Sequence, residues 1–295
     1  MPTPYSGIIA ADGREIKQHG TLEFPCALYS TPQLALVPWH WHEEYEISVL
    51  YHGKALYNTP QGQFTLEAGD GIFLNSGTLH SAQITPDGPC QKADILFHGR
   101  LVYGDKDSVF WKKYIRPLSS PEAPQVTVLR GSIPWQAEIL EKLKKAHRLC
   151  KNKPEGYEFA VRDLLSQILF DLFCYSVGPE KDTSAGSQMD NDRIKQMLLY
   201  LQEHYAQPVT LAQLSQITSL CERECLRCFK KVVRMSPIQY LIHYRIARAC
   251  ILLREEELSV LEVSSRCGFE SPSYFTKTFR RITGCTPSEY RNRKN

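Results

Sequence analysis

The sequence predicts a two-domain α+β protein. An N-terminal antiparallel β-barrel with an attached helical pair is followed by an all-α C-terminal domain. Short β-prone runs separated by turn residues occupy residues 21–100, apolar residues at helical spacing begin near residue 135, and a pattern near the C-terminus recurs after 50 residues. A chain of 295 residues is long enough for two domains, and a hydrophobic content of 42% can supply their cores.

Changes of composition along the chain place the boundaries. We predict a barrel domain over residues 1–130, a helical pair over residues 131–177, a linker over residues 178–191 and the helical domain over residues 192–295. The predicted linker is rich in Gly, Pro and Ser and has no apolar periodicity, which is typical of a flexible connection.

Four short runs predict strands of the barrel. Each is rich in β-branched or aromatic residues and is bounded by turn residues; the runs are Glu46–Tyr51, Ala55–Tyr57, Gln63–Leu66 and Gly71–Leu74. Short strands at this spacing are typical of an antiparallel sandwich or barrel. The first 20 residues have no clear pattern, and residues 101–130, which include several prolines, are predicted to be irregular.

Two histidine-containing segments fall inside the predicted barrel. The first has the spacing His-x-His-x3-Glu-x6-Gly and starts at His40; the second has the spacing Gly-x7-Gly-x2-His and ends at His80. These segments resemble the two cupin motifs, although Leu34 and Asn75 replace a glycine and a proline of that pattern. The resemblance implies a cupin-like barrel. Its candidate metal ligands are His40, His42, Glu46 and His80.

Two interpretations of these residues stay open. Three imidazoles and a carboxylate suit Fe, Mn, Ni or Zn. Alternatively, the same segment forms a polar pocket for a small effector, such as a sugar stacked on aromatic rings, or simply packs the strands. No cofactor is expected beyond this possible divalent metal. The candidate effector pocket comprises Trp39, His40, His42, Tyr45, Glu46 and His80.

Two helices are predicted after the barrel. Residues 135–151 form a basic amphipathic helix, and residues 157–175 form a helix that is apolar on nearly every side. Such a helix must be buried against more than one surface. The second surface is either the core of the same subunit or the seam of a homodimer.

The C-terminal domain contains a repeated unit. An aromatic residue, two cations, a hydroxyl residue followed by proline, and a tyrosine occur from Phe229 to Tyr240 and again from Phe279 to Tyr290. Each repeat combines a capped helix, a turn and a helix with an apolar inner face. This order of elements predicts two helix-turn-helix units, at about residues 211–233 and 259–283, joined by one long helix.

Basic residues are concentrated in this domain. Residues 192–295 carry 17 Lys and Arg against 10 Asp and Glu, whereas residues 1–191 carry 18 against 22. A basic domain with such helices predicts double-stranded DNA as a partner, because the second helix of each unit enters the major groove. The outward positions predicted to contact DNA are Arg223, Leu226, Arg227, Lys230, Ser273, Thr276, Lys277 and Arg280.

The segment from Gly268-Phe269 to Tyr290-Arg291 resembles the signature of the AraC/XylS family of transcription regulators. Phe229-Lys230 and Ser236-Pro237 match the preceding part of that domain, and the resemblance covers residues 192–292. It implies a cytoplasmic regulator, expected to be an activator, whose N-terminal domain senses a small molecule, often a sugar. A homodimer and contact with RNA polymerase are further expectations.

The first unit departs from the family pattern. Cys221 stands where a capping serine is usual, and Arg234 stands where glycine is usual. The spacing of Cys221, Cys225 and Cys228 resembles an iron–sulfur motif, but a position within a helix favours structural thiols over a metal or oxidant sensor.

Several other classes are disfavoured by the sequence. No apolar run has the length of a membrane span, no secretory pattern starts the chain, and ten scattered cysteines suit a reducing cytoplasm, so neither membrane association nor disulfides are expected. No nucleophile–base pair, Walker loop or dinucleotide fingerprint occurs, so we predict that the chain is not an enzyme. The alternatives are a metal-dependent cupin enzyme with an accessory DNA-binding domain, and a metal- or thiol-responsive regulator.

Overall fold

The computed structural model describes residues 8–9, 15–16, 19–32, 36–84, 90–120, 123–176, 187–255 and 258–292. Its N-terminal half contains two packed antiparallel sheets. One has the strand order β11-β8-β5-β10-β3, and the other has the order β4-β9-β6-β7. Their strands are β3 (Cys26–Pro32), β4 (Leu36–His40), β5 (Tyr45–His52), β6 (Lys54–Thr59), β7 (Gly62–Glu67), β8 (Gly71–Leu74), β9 (His80–Ile84), β10 (Gln91–Phe97) and β11 (Val126–Leu129). A separate pair joins β1 (Ile8–Ile9) to β2 (Glu15–Ile16).

Helices cover the outer face of the five-stranded sheet. They are α1 (Arg100–Tyr103), a π-helical turn (Trp111–Ile115), α2 (Arg116–Leu118), α3 (Pro134–Asn152) and α4 (Tyr157–Ser176). The prediction that residues 101–130 are irregular is therefore wrong, because this stretch holds two short helices, the π-helical turn and a strand that pairs with β8. Pro117 lies at the start of α2, where proline is tolerated.

Strand β5 separates two cores. Its side chains alternate between the two faces of the sheet, as in any strand. Tyr45, Ile47 and Val49 pack with α3 and α4 in the larger core, whereas Leu50 packs against the four-stranded sheet in the core between the sheets. The polar residues Glu46 and Ser48 share the inner face with Leu50, so they lie inside the barrel.

The C-terminal half is helical. Its helices are α5 (Ser187–Glu203), α6 (Leu211–Thr218), α7 (Glu222–Val233), α8 (Pro237–Glu255), α9 (Val260–Arg266), α10 (Pro272–Thr283) and α11 (Pro287–Asn292). Helix α5 begins at Ser187, so the predicted linker over residues 178–191 extends too far; residues 178–186 lie outside the described residues. The fold class predicted from the sequence is confirmed.

Helix α8 joins two separate cores of this domain. Tyr240 and Tyr244 pack in the core of the first helix-turn-helix unit, α6 and α7, while Ala249 and Leu253 pack in the core of the second unit, α9 and α10. At about 1.5 Å per residue, a 19-residue helix is about 28 Å long. One helix therefore sets the separation of the two units.

The two units are capped differently. Both capping boxes are present: Thr210 with Gln213 begins α6, and Ser259 with Glu262 begins α9. Ser271 accepts a hydrogen bond from the Tyr274 amide at the start of α10, but Cys221, at the corresponding position of α7, makes no side-chain capping bond. The N-terminus of α7 therefore lacks a stabilising contact that α10 has.

The C-terminal ends of α7 and α10 differ in the same direction. Arg234 and Gly284, which are 50 residues apart, both adopt the left-handed conformation, with φ of 62° and 79°. That conformation is unfavourable for a residue with a Cβ atom but not for glycine. Among the described residues, no helix is long and apolar enough to cross a membrane.

We predict that Arg234→Gly raises the free energy of unfolding by about 0.5–1 kcal/mol, because it removes left-handed strain from an exposed position. The matched substitution Gly284→Arg should lower the free energy of unfolding by a similar amount. A Cβ atom at Gly284 would meet no atom within 4 Å, so the effect comes from the backbone conformation alone. Denaturant unfolding measures both changes, and equal signs for the two variants would contradict the assignment.

Candidate functional site

A β-bulge in β4 positions the first histidine of the site. Val37 pairs with Ala82 and His40 pairs with His80, so three steps along β4 correspond to two steps along β9. The extra residue lies at Pro38 and Trp39. Proline has no amide hydrogen to donate to the ladder, but it is tolerated in a bulge because a bulged residue is left unpaired. Because of the bulge, His40 faces the barrel interior together with His80.

Three imidazoles and one carboxylate converge at this end of the barrel; we call His40, His42, His80 and Glu46 the histidine cluster. One ligand nitrogen from each histidine lies within 4.8 Å of the other two, and all three histidines are buried. The Glu46 Oε2 atom is 3.3 Å from the Nε2 atoms of both His42 and His80. The structure therefore brings together all four candidate metal ligands predicted from the sequence.

Backbone carbonyls orient the three imidazole rings. Each Nδ1 atom donates to a carbonyl oxygen: His40 to Pro38 at 2.8 Å, His42 to Glu44 at 3.0 Å and His80 to Thr78 at 2.8 Å. Such bonds fix the ring orientation and direct Nε2 inward, as second-shell partners of metal-binding histidines do. The Nε2 atom of His80 is buried and, among the described residues, has only the Glu46 carboxylate as a polar partner.

The residues fit a divalent transition metal. In their deprotonated form, imidazoles with carbonyl-bound Nδ1 atoms present Nε2 lone pairs, and Glu46 adds a carboxylate oxygen from the opposite sheet. This donor set suits Zn, Fe, Mn or Ni, whereas Mg and Ca prefer oxygen ligands throughout. An ion bound here would act as a Lewis acid or a structural cross-link.

Two further residues at this end were missed by the sequence analysis. The Glu15 Oε2 atom lies 3.2 Å from His19 Nε2 and 4.0 Å from His40 Nε2, and all three side chains are buried. The Glu15 amide donates to the Trp41 carbonyl at 2.8 Å, which ties β2 to the end of β4. Nothing in the pattern of residues 1–20 distinguishes these two residues from surface residues.

The charges in the cluster depend on one another. Burial acts to raise the pKa of Glu46, but the imidazoles of His42 and His80 and the ammonium of Lys92 hold it well below its usual value. Burial acts to lower the pKa of His42, but hydrogen bonding and the charge of Glu46 raise it. Burial and the neighbouring His80 lower the pKa of His40 to about 3. The cluster thus holds an ionised carboxylate beside a neutral His40.

A second buried polar network adjoins Glu46. The Ser48 hydroxyl donates to Asp94 at 2.6 Å and lies 3.1 Å from Glu46 Oε1. Lys92 pairs with Asp94 at 3.0 Å and donates to the Tyr57 hydroxyl at 2.9 Å. Burial acts to lower the pKa of Lys92, but the charge of Asp94 and the other partners raise it well above its usual value. The interior next to the histidine cluster is therefore charged and hydrogen-bonded.

Two predicted pocket residues lie elsewhere. Tyr45 points to the opposite face of β5, where its ring stacks on Phe73 and its hydroxyl lies 2.6 Å from that of Ser119. Trp39 packs among residues of the helical domain. The structure thus does not bring Trp39 and Tyr45 together with the histidine cluster, because strand alternation and the bulge turn them away from it.

Trp39 belongs to an interface between the barrel and the first helix-turn-helix unit. Trp39 and Leu79 pack in one hydrophobic cluster with residues of α5, α7 and α8. Gln202 on α5 donates to the Trp39 carbonyl at 2.8 Å and to the Tyr240 hydroxyl at 2.5 Å. The residues that adjoin His40 and His80 in sequence therefore contact the core of the first unit.

A second contact ties α5 to the same edge of the barrel. The Lys195 ammonium donates to the Gly77 carbonyl at 3.1 Å and lies 4.9 Å from the centre of the Trp41 ring. The core of the second unit consists of residues from α8, α9, α10 and the loops beside them. In the described part of the chain, the hydrophobic cores thus join the barrel to the first unit alone.

Helices α7 and α10 present the positions that the sequence analysis assigned to DNA. Arg223, Arg227, Lys230, Ser273, Lys277 and Arg280 are exposed, and Leu226 and Thr276 are half-buried. Their opposite faces are buried, with Phe229 and Phe279 at corresponding positions. Both helices thus have a polar outer face and an apolar inner face.

The cysteines of α7 do not form a common site. Cys225 and Cys228 are buried in the core of the first unit, whereas Cys221 is exposed at the start of the helix. The Cys225 sulfur lies 3.2 Å from the Thr218 hydroxyl. All ten cysteines lie in the part of the chain that the structure describes, and none of them forms a disulfide.

The fold and the site define a two-domain regulator in which a ligand-binding barrel is joined to a DNA-binding domain with two helix-turn-helix units. The model described as an AraC-like ligand binding domain matches residues 26–156, and the model described as a helix-turn-helix domain matches residues 214–293. The two matches cover both domains. The chain belongs to the AraC family of transcription regulators.

Relatives along the full chain agree with this assignment. The uncharacterized HTH-type transcriptional regulator YdeC of Bacillus subtilis (strain 168) is 29% identical over 288 residues, which cover 96% of this chain and 97% of the relative. The HTH-type transcriptional activator RhaS of Enterobacter sp. (strain 638) is 24% identical over 272 residues, which cover 90% of this chain and 92% of the relative.

Two solved structures also align with the chain. ToxT from Vibrio cholerae O395 aligns over 90% of this chain and 96% of its own, with 12% identity and a TM-score of 0.46. The DNA-binding domain of AdpA, solved in complex with a target DNA, aligns over 34% of this chain and 91% of its own, with 31% identity and a TM-score of 0.33.

We predict that Lys92→Met lowers the free energy of unfolding by about 3 kcal/mol, because it leaves buried Asp94 and Glu46 without their cation. The matched control is Lys54→Met, which removes an ion pair with Glu67 whose side chains are 53% and 63% exposed. That control should cost less than about 1 kcal/mol. Similar losses for the two variants in denaturant unfolding would contradict the role of the buried network.

Proposed function

We propose that α7 and α10 of this regulator enter two successive major-groove segments on one face of the DNA. Support comes from two equivalent exposed faces that carry Arg223, Arg227 and Lys230 in α7, and Lys277 and Arg280 in α10. Arginine binds guanine bidentately, and lysine contacts phosphates or bases. The proposal rests mainly on the observation that one continuous helix, α8, joins the two units and fixes the separation of the two faces.

The response to a ligand is proposed to pass through the first unit. The proposed effector site is the polar interior of the barrel, which holds the histidine cluster and the adjoining buried network of Ser48, Asp94, Lys92 and Tyr57. A sugar or another small polar molecule remains the expected type of effector. Trp39 and Leu79 connect this end to α5 and α8, so a change in the barrel can reach the core beneath α7.

The cellular location, the direction of regulation and the oligomeric state are proposed by analogy with the family. We propose that the chain acts in the cytoplasm as an activator that contacts RNA polymerase; the relative RhaS is named an activator. We also propose a homodimer through α4. This helix buries Leu165 and Ile168 in the larger core, which lies between the helices and the five-stranded sheet, but leaves Phe159 and Phe170 80% and 50% exposed.

The alternative function is a metal-dependent cupin enzyme. It would use the same four residues of the histidine cluster. The matched families and the named relatives are regulators, so we propose that a ligand at this site controls DNA binding and is not turned over. A stoichiometric metal whose removal abolishes turnover of a substrate would support the enzyme.

We predict that Arg227→Ala and Lys277→Ala each weaken protection of one DNA segment, and that the two segments are about one helical turn, about 34 Å, apart. Loss of a bidentate base contact costs about 1–3 kcal/mol of binding free energy. Nuclease footprinting measures this loss. Lys151→Ala, at an exposed position of α3, is the matched charge control. A single shared segment affected by both variants would refute the two-site geometry.

We predict that the double variant Phe159→Ser/Phe170→Ser converts a dimer to a monomer, because the two side chains lie 11 residues apart on one face of α4. Light scattering after size exclusion gives the mass. Leu261→Ser is the control, because Leu261 is 61% exposed on α9. A double variant that keeps the dimer mass, or a wild-type chain that is monomeric, would exclude this interface.

A further inference from the structure

We propose that a divalent first-row transition metal ion, bound by His40, His42, His80 and Glu46, is a regulatory ligand that changes how the first helix-turn-helix unit binds DNA. The inference rests on the proposed function, since it assigns the chemistry of the ligand at the same site and the route of its effect.

The donors are already arranged for one ion. Three histidine nitrogens lie within 4.8 Å of one another, and the three Nδ1 hydrogens are occupied by backbone carbonyls. Among the described residues, the buried His80 Nε2 atom has only the Glu46 carboxylate, at 3.3 Å, as a polar partner. A metal ion at the centre of the cluster would accept the lone pair of this nitrogen.

The surrounding charges also suit a cation. Glu46 lies among the histidines, and Glu15 lies 4.0 Å from His40 Nε2. Both carboxylates are buried. A buried divalent ion would therefore be held beside two carboxylates.

The ligands come from both sheets of the barrel. His40 and His80 end and begin neighbouring strands of the four-stranded sheet, whereas Glu46 lies on β5 of the five-stranded sheet. An ion that binds all three cross-links the sheets at this end. Its binding would hold the ends of β4 and β9 to β5.

The same two strand ends contact the first unit. Trp39 precedes His40, and Leu79 precedes His80; both side chains pack with α5, α7 and α8. The Trp39 carbonyl accepts the hydrogen bond from Gln202. Restraint of these strand ends changes the support beneath α7, while the core beneath α10 lies away from them. Metal occupancy is thus transmitted to one of the two DNA-binding helices.

The test uses the full-length chain, stripped of metal with a chelator and then reloaded separately with Zn²⁺, Mn²⁺, Ni²⁺ or Fe²⁺. Elemental analysis gives the bound stoichiometry. Fluorescence anisotropy gives the affinity for duplexes that the wild-type chain selects from a random pool in the presence and in the absence of metal. We expect about one ion per chain for at least one metal, and a change in DNA affinity of about 5-fold or more, the usual range of coupling between sites.

Three variants separate binding from transmission. His80→Ala and the nearly isosteric Glu46→Gln should lose the ion and the metal-dependent change in affinity. His98→Ala, a histidine outside the cluster, should retain both. Gln202→Leu should retain the ion but lose most of the change in affinity, because the hydrogen bond to Trp39 is removed while every ligand remains. Thermal unfolding confirms that each variant is folded.

The outcomes are distinguishable. Less than about 0.2 ion per chain for every metal, or equal metal content in wild type, His80→Ala and Glu46→Gln, would overturn the site. One bound ion with unchanged DNA affinity would overturn the regulatory role and leave the proposed function standing. A full response in Gln202→Leu would refute the route through Trp39. No DNA binding in either metal state would contradict the proposed function itself, and the inference with it.

Discussion

The bulge in β4 is the constraint on which the functional end of this protein depends. Val37 and His40 both face the barrel interior although they are three residues apart, which a regular strand cannot achieve because its side chains alternate. The extra residue at Pro38 and Trp39 changes the face on which the following residues lie. It brings His40 opposite His80 and turns Trp39 toward the helical domain. One local irregularity thus creates both the histidine cluster and the contact with α5.

The two helix-turn-helix units follow the same pattern but have different surroundings. The first packs on the barrel, starts α7 at an uncapped Cys221 and ends it at a left-handed Arg234; the second has Ser271 and Gly284 at the corresponding positions. Missing caps and strained ends each reduce local stability. The unit that contacts the ligand-binding domain is therefore also the one whose second helix is held less firmly by its own sequence. This asymmetry suits a protein in which one unit anchors the complex and the other responds.

Much of this architecture could be predicted from the sequence. The spacing from His40 to His80 predicted the cluster because a cupin-like pattern fixes which strand positions face inward. The exposed faces of α7 and α10 followed from apolar residues at helical spacing around Phe229 and Phe279. Both predictions rest on local periodicity, which tertiary packing preserved.

Other features depend on contacts that local patterns do not encode. Glu15 and His19 reach the cluster from a segment without periodicity, and Lys92 and Asp94 on β10 are buried charges on a strand whose sequence resembles a surface strand. Their burial is stabilised by their own ion pair and by Ser48 and Tyr57, which are distant in sequence. Trp39 was assigned to the wrong face because the bulge is visible only in the pairing of β4 with β9.

The most direct test of the coupling between the barrel and the first unit is amide hydrogen exchange on wild type and Trp39→Ala. Removing this buried side chain takes away a part of the first unit's core that the barrel supplies. This coupling predicts faster exchange in α5, α7 and the first half of α8, with little change in α9 and α10. Equal acceleration in α7 and α10, or no change in either helix, would contradict it.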